Sequence, residues 1–219
     1  MTLQRFGGLA GLTCAATYLF GFVFLVTRLA PLGYGTNEID GNTVVDFIQT
    51  EAGFLILWNT VIYIVNALAL TLLVVALHKR LRTAMPDLSA VAAALGIIWA
   101  ALVLAAGMIA NVTVERTAYL ATRDLENAVR FWETLHAVEL GLGGGNEIAG
   151  AVWIGLVSVA ALRSGSLGKI TIGLGLLTGL GGLATLFPVL GDIAGVVFGL
   201  GAIAWFIAAG ITLLLRPAS

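Results

Sequence analysis

An all-α integral membrane protein is the fold class this sequence predicts, and three observations predict it. Apolar residues make up 59% of the 219 and charged residues 11%, with a mean hydropathy of +1.02, far from a soluble globular composition. The apolar residues gather into windows of about 20, the length a helix needs to cross a hydrocarbon core of about 30 Å. The cations collect at the ends of those windows, as they do at membrane boundaries.

Six windows fit, which predicts a six-transmembrane-helix bundle in one transmembrane domain, 1–219. The first span, about 7–27, ends before Arg28, and Pro31, Gly33 and Gly35 break the helix beyond it. Arg5 ahead of the run Phe6 to Leu29 has the look of a signal-peptide start, but the run is long and shows no clear small-x-small cleavage site, so it reads as a retained first span. An outer segment, 33–51, carries Glu38, Asp40, Asp46 and Glu51, and TVVDFIQTEAG predicts a short amphipathic helix on the surface. The second span, about 54–77, stops at His78, Lys79, Arg80 and Arg82. After the turn Met85-Pro86-Asp87, the third span covers about 88–110. In the second outer segment, 112–135, apolar residues recur at helical spacing, which predicts that it extends the fourth helix beyond the membrane. The fourth span, about 139–162, ends at Arg163, and Ser164-Gly165-Ser166 turns the chain into the fifth, about 170–187. Pro-Val-Leu-Gly-Asp joins it to the sixth, about 193–215.

With six spans, Arg5, Lys79, Arg80, Arg82, Arg163, Lys169 and Arg216 fall on one face, and Arg28, Arg116, Arg123 and Arg130 on the other. Basic residues near short loops are retained inside, so both termini are expected in the cytoplasm of a multi-pass cell membrane protein, with a bacterial plasma membrane as the expected setting. Net charge is −1 without a block of like charges, so a nucleic-acid partner is excluded. Cys14 is the sole cysteine, which excludes an internal disulfide and a thiolate metal cluster. Gly175-xxx-Gly179 and Gly195-xxx-Gly199 place small residues on one side of spans five and six, where helices of this chain, a homo-oligomer or a membrane-protein partner could pack closely.

Polar groups inside apolar helices are costly, and an intramembrane acid defaults to a functional reading. The stretch Phe131 to Leu162 holds His136, Glu139, Asn146 and Glu147. At 100° per residue His136, Leu140, Gly143 and Glu147 share one face, with Glu139 and Asn146 to one side. Glu147 lies about 24 Å before Arg163 at 1.5 Å per residue, inside the outer leaflet. Gly143-Gly144-Gly145 lies between the acids and either breaks the helix, as at transporter binding sites, or lets another helix pack closely. On span two Asn59, Tyr63 and Asn66 are spaced by four and three and point one way. Asn66, near the bilayer centre, needs partners such as Glu147, Asn146 or the hydroxyls of Thr13, Thr17 and Tyr18. Such bonds either line a site or simply fix the bundle. Asp192 either caps span six or adds a third acid at the outer mouth. The ligand-binding candidates are therefore Glu147, Asn146, His136, Glu139, Asn66, Tyr63, Asn59 and Asp192.

No catalytic residue and no metal site is assigned. His136 and Glu139 could supply two ligands, but the second histidine, His78, belongs to the basic cluster on the opposite face, so a bis-His haem or three-His site cannot be assembled in one chain. GLGGGNE lacks the strand and the Lys-Ser/Thr ending of a phosphate loop. Asn111-Val112-Thr113 follows a span too closely to carry weight as a glycosylation acceptor. No nucleophile context stands out, and no cofactor is named.

The order RFGGLAGLTCAATYLFG, DFIQTEAGFLILWNTV, LALTLLVVALHKRLR before a Pro-Asp turn, then LHAVELG and ALRSGSLGKITIGLGLLTGLGG resembles the bacterial membrane family catalogued as domain of unknown function 4386, over about Arg5 to Leu190. Leu135-His136 and Arg163-Ser164-Gly165 are its most specific points. GLGGGNEIAG departs from the plainer apolar run that family leads one to expect. The resemblance implies a six-helix membrane fold and no activity. Three readings of function follow: binding or transport of a small molecule or ion through an outward-facing polar pocket centred on span four; an accessory or assembly subunit of a larger membrane complex; and a membrane-embedded enzyme acting on a lipid or quinone, with Glu139, Glu147 and His136 as acid and base.

Overall fold

The structure is a computed structural model that describes residues 2–36, 39–144 and 148–215, with the side chains of residues 144, 188, 191 and 192 outside the description. Among the described residues every regular element is helical. In hydrocarbon a backbone must satisfy its own polar groups, and a helix does so within one segment.

Helix α1 (Leu3–Phe24) passes into a π-helical segment, Leu25–Leu29, and a 3₁₀ turn, Ala30–Leu32. Gly33 and Gly35 then turn the chain at φ 84° and 81°, a left-handed conformation that costs glycine nothing because it has no Cβ. Helix α2 (Gly41–Asn59) starts at Asp40, whose carboxylate accepts from the Thr43 N–H at 3.0 Å and the Thr43 hydroxyl at 2.7 Å, satisfying donors that the first turn leaves free. It bends at Glu51 and leads through a second π segment, Thr60–Val65, into α3 (Asn66–Leu81). Proline, whose missing N–H is no loss in a first turn, opens α4 (Pro86–Ala121). Asp124 caps α5 (Leu125–Glu139), accepting from the Asn127 N–H at 3.0 Å. A third π segment, Leu140–Gly144, precedes α6 (Ile148–Ser164), α7 (Lys169–Ala184), a 3₁₀ turn Pro188–Leu190, and α8 (Gly191–Leu215).

Five stretches are long and apolar enough to cross a membrane: Leu3–Leu32, Gly41–Leu81, Pro86–Ala121, Leu125–Ser164 and Ile193–Leu215. These make the chain a membrane protein by length and composition. The fifth expected span is the exception. It forms a helix of 16 residues, about 24 Å at 1.5 Å per residue, because the chain leaves the helix at Thr185 and turns through Pro188. The third helix outruns its expected end at 110, since no glycine or proline interrupts 108–121. The short helix expected in the outer segment 33–51 forms the first part of α2 and is set off from the rest by non-helical geometry at Glu51, φ −130° and ψ 27°, and the outer segment 112–135 is shared between α4 and α5.

The chain divides into two compact units. Unit one comprises Met1–Tyr18, Asn66–Ala101 and Asn146–Ser219; unit two comprises Leu19–Val65 and Leu102–Gly145. The core of unit one is aromatic: Trp99, Trp153, Trp205, Phe198 and Phe206 are all fully buried. Trp99 stacks on Phe206 at 8° between ring planes, and Trp153 meets Trp205 edge to face with centroids 5.3 Å apart. Glycines make room for these rings. A methyl group at Gly150 would overlap Trp99, and one at Gly182 would overlap Phe198 and Ala151. The small-residue pattern expected to join α7 to α8 is divided: Gly179 admits the backbone of α6, Gly175 faces Ser158 and Trp205, Gly181 and Gly182 face α8, and nothing lies against Gly195. The core of unit two joins α2 to α5, with Val44, Val45, Ile48 and Leu55 packed in one cluster with Ala128, Val129 and Trp132.

Candidate functional site

Glu139 closes α5, a helix with one strongly apolar face, and it is 7% exposed. Among the described residues it is the one acid in the buried class. Both of its oxygens are engaged. The Tyr63 hydroxyl donates to Oε1, and His136 Nδ1 lies 2.9 Å from Oε2. The direction of that second bond depends on the tautomer of the imidazole. In a low-dielectric setting an acid left unpaired would be neutralised or expelled. Here the partners replace water.

The spacing His136 to Glu139 places the two on adjacent positions of one helix face, which is why the pair forms without help from the rest of the chain. Tyr63 comes from 76 residues away. It sits in the π segment Thr60–Val65, where α4 comes close because position 107 is glycine; a methyl there would overlap Tyr63. Asn111, one turn further along α4, donates to the Thr60 hydroxyl at 3.0 Å, and its Oδ1 is buried with no partner among the described residues. A free acceptor on α4 therefore belongs to a side chain that is hydrogen-bonded to the segment bearing Tyr63.

Aromatic rings hold the imidazole. Trp132 stacks on His136 with centroids 4.7 Å apart and planes 17° from parallel, and Tyr34 lies 5.9 Å from the imidazole and 6.4 Å from Trp132. Trp58, which donates to the Gly21 carbonyl at 3.3 Å, meets Tyr34 from the other side at 6.1 Å. Burial pushes the Tyr34 phenol above its ordinary range, the Glu139 charge pushes it further, and a hydrogen bond from Trp132 opposes both. Nothing in the helical pattern singled out Tyr34, Trp58 or Trp132. The available signal was Gly33-Tyr34-Gly35, an aromatic residue between two glycines in a turn.

Immediately after Glu139 the chain leaves α-helical geometry. Leu140–Gly144 is π-helical and Gly143 has φ 148° and ψ 6°, a conformation a residue with a Cβ rarely adopts. The first glycine of the triplet thus departs from the helix. π segments appear mostly as single widened turns and frequently at functional sites. All three among the described residues belong to unit two.

Of the eight residues expected to form the site, His136, Glu139 and Tyr63 meet. Asn66 does not join them: a π segment separates it from Asn59 and alters the spacing by which the three would share a face. Asn66 belongs to unit one, where its amide donates to the Thr17 hydroxyl at 2.6 Å and to the Cys14 carbonyl at 3.4 Å. Thr17 was among its expected partners. Asn59 is buried at the end of α2. Asp192 lies in the first turn of α8, with its side chain outside the description. Glu147 and Asn146 lie outside the described residues. No group of three metal-ligating side chains occurs among the described residues. No family profile, curated protein or solved structure matches the chain.

Proposed function

We propose that this chain binds a small cation or cationic molecule, for carriage across or sensing at the membrane, with Glu139 as the counter-charge and Tyr63 and His136 as the groups that hold the acid while the site is empty. The observation that carries this reading is the buried carboxylate of Glu139, hydrogen-bonded on both oxygens at the start of a π segment that ends in the left-handed Gly143. On this reading Glu139, 24 residues and about 36 Å before Arg163 at 1.5 Å per residue, stands at the outer mouth of span four where a ligand would first meet it, and helix interruptions recur where transporters hold their cargo. The Trp132 and Tyr34 rings add faces that attract a cation, and the unpartnered Asn111 Oδ1 adds an acceptor.

The same reading takes α7 as a sixth, shorter crossing and puts both termini in the cytoplasm of a bacterial plasma membrane, on the strength of the seven cations expected on one face against four on the other. Membership of the family catalogued as domain of unknown function 4386 is part of the proposal, carried by Leu135-His136 and Arg163-Ser164-Gly165.

Native mass spectrometry after gentle extraction from the native membrane tests it. A bound mass of a few hundred daltons or less is expected in the wild type and lost in Glu139→Gln, which keeps the shape and removes the charge. A Glu147→Gln variant run beside it shows which acid holds the ligand. An unchanged bound mass and unchanged flux in both variants would overturn the reading, and a co-purifying second polypeptide would replace it with the subunit alternative.

A further inference from the structure

At one end of unit one several helix ends adjoin. Gln4 at the start of α1 donates to the Leu213 carbonyl of α8 at 2.9 Å, and a methyl at Gly7 would overlap Ala76 of α3. The Ser89 hydroxyl of α4 lies 2.8 Å from His78 Nδ1, and the Arg80 guanidinium donates through Nε to the Ser166 carbonyl at 2.9 Å. That last bond ties the basic end of α3 to the turn between α6 and α7, where the Ser164 and Ser166 hydroxyls pair at 2.7 Å. Sequence segments separated by more than a hundred residues thus bring Arg5, Lys79, Arg80, Arg82, Arg163 and Lys169 to one end. All but the half-buried Arg80 are exposed. Asp87 is the one acid whose side chain is described in this unit, and the ion pairs among the described residues all belong to unit two.

The cations are not isolated from apolar surface. Leu162, 60% exposed, precedes Arg163; Ile170, 78% exposed, follows Lys169; and Val75, 41% exposed, stands one helical turn before Lys79. Arg163, Lys169 and Lys79 therefore each stand beside, or one turn from, an uncovered aliphatic side chain of the same helix. A soluble anion or an acidic protein would match the charges and leave the aliphatic groups unused. An amphiphile with a phosphate at its polar end and hydrocarbon below would match both.

We propose that this basic end of unit one binds the headgroups of anionic phospholipids, with Lys79, Arg82, Arg163 and Lys169 supplying the charge, and Val75, Leu162 and Ile170 meeting the acyl chains. Arg80 positions the Ser164–Ser166 turn between them. A cation near an anionic membrane surface strengthens binding by about fivefold.

The test is native mass spectrometry of the full chain released from nanodiscs containing equal phosphatidylglycerol and phosphatidylcholine. Preferential retention of phosphatidylglycerol is expected. Arg163→Gln with Lys169→Gln should lower that preference by an order of magnitude or more, since about fivefold is lost per charge, and Lys79→Gln with Arg82→Gln should do the same. Lys79→Arg with Lys169→Arg should preserve it, and so should Arg116→Gln with Arg130→Gln, which removes two cations from unit two. Equal retention of the two lipids, an equal drop in the unit-two variant, or displacement of phosphatidylglycerol by millimolar inorganic phosphate would overturn the proposal. None of these residues is part of the Glu139 cluster, so either conclusion can fail alone.

Discussion

Unit one and unit two draw on the same apolar residues and differ in what they bury. Unit one buries indoles and phenyl rings against glycine, and among the described residues its buried polar groups outside the indoles are hydroxyls and one amide; Ser158, Thr178 and Thr212 donate to carbonyls of their own helices, and Trp205 Nε1 has no partner. Its cations stay at the surface. Unit two buries an acid, with a phenol and an imidazole to satisfy it, and among the described residues it contains all three π segments and the left-handed Gly143. The lesson is about cost. Rings and hydroxyls can be packed without disturbing i to i−4 hydrogen bonding. A buried carboxylate needs partners at fixed directions on both oxygens; of the two here, His136 sits on regular α5 while Tyr63 sits in a π segment, and a second π segment begins just after Glu139.

The largest expected effect tests the packing side of that contrast. Trp153→Ala should cost about 3–5 kcal/mol of unfolding free energy, read by denaturant titration in detergent, and should leave ligand retention in the surviving folded protein unchanged. Loss of the ligand at full folding would dissolve the division of labour. Second, Glu139→Ala leaves the Tyr63 and His136 groups without their partner and should cost about 1–3 kcal/mol. Glu139→Gln should recover most of that stability and none of the binding. Third, Gly143→Ala should cost about 1–3 kcal/mol. The cause is backbone conformation rather than space, since the nearest atoms to a methyl there are Val103 atoms at 3.9 and 4.0 Å. An equal cost for Gly155→Ala, which faces open space within a helix, would remove that explanation.

Fourth, the Asn66–Thr17 bond of unit one should show a coupling of only about 0.6 kcal/mol in a double-mutant cycle, because both partners find other acceptors. A coupling several times larger would place a second polar centre in unit one. The smallest effect concerns pH. The Tyr34 phenol is held protonated in the folded state, so its contribution is fully present below its unfolded pKa of about 10 and is lost as pH rises beyond it. A stability profile that declines above that point in the wild type and flattens in Tyr34→Phe is expected. Identical profiles would show that neither burial nor the Glu139 charge raises the Tyr34 phenol in the folded state.

Much of the chain was legible without the structure. Apolar windows bounded by Arg and Lys located the membrane-crossing stretches, and three-residue spacing linked His136 to Glu139. The Asn59, Tyr63, Asn66 row shows where periodicity runs out: it assumes 3.6 residues per turn, and a π segment intervenes after Asn59. The fifth window was legible as apolar, while its length depended on where the chain left the helix near Pro188.

The sequence by itself determined the helical class, the apolar stretches and the basic boundaries. The reason is that lipid forces each backbone segment to satisfy its own hydrogen bonds, and water retains the charges. Only the tertiary structure decided that Tyr63 reaches Glu139, that Asn66 turns to Thr17, and that Arg80 holds the turn at Ser166. Those choices depend on which helices approach one another and on where a turn widens to i→i+5, and both are settled by neighbours distant in the chain.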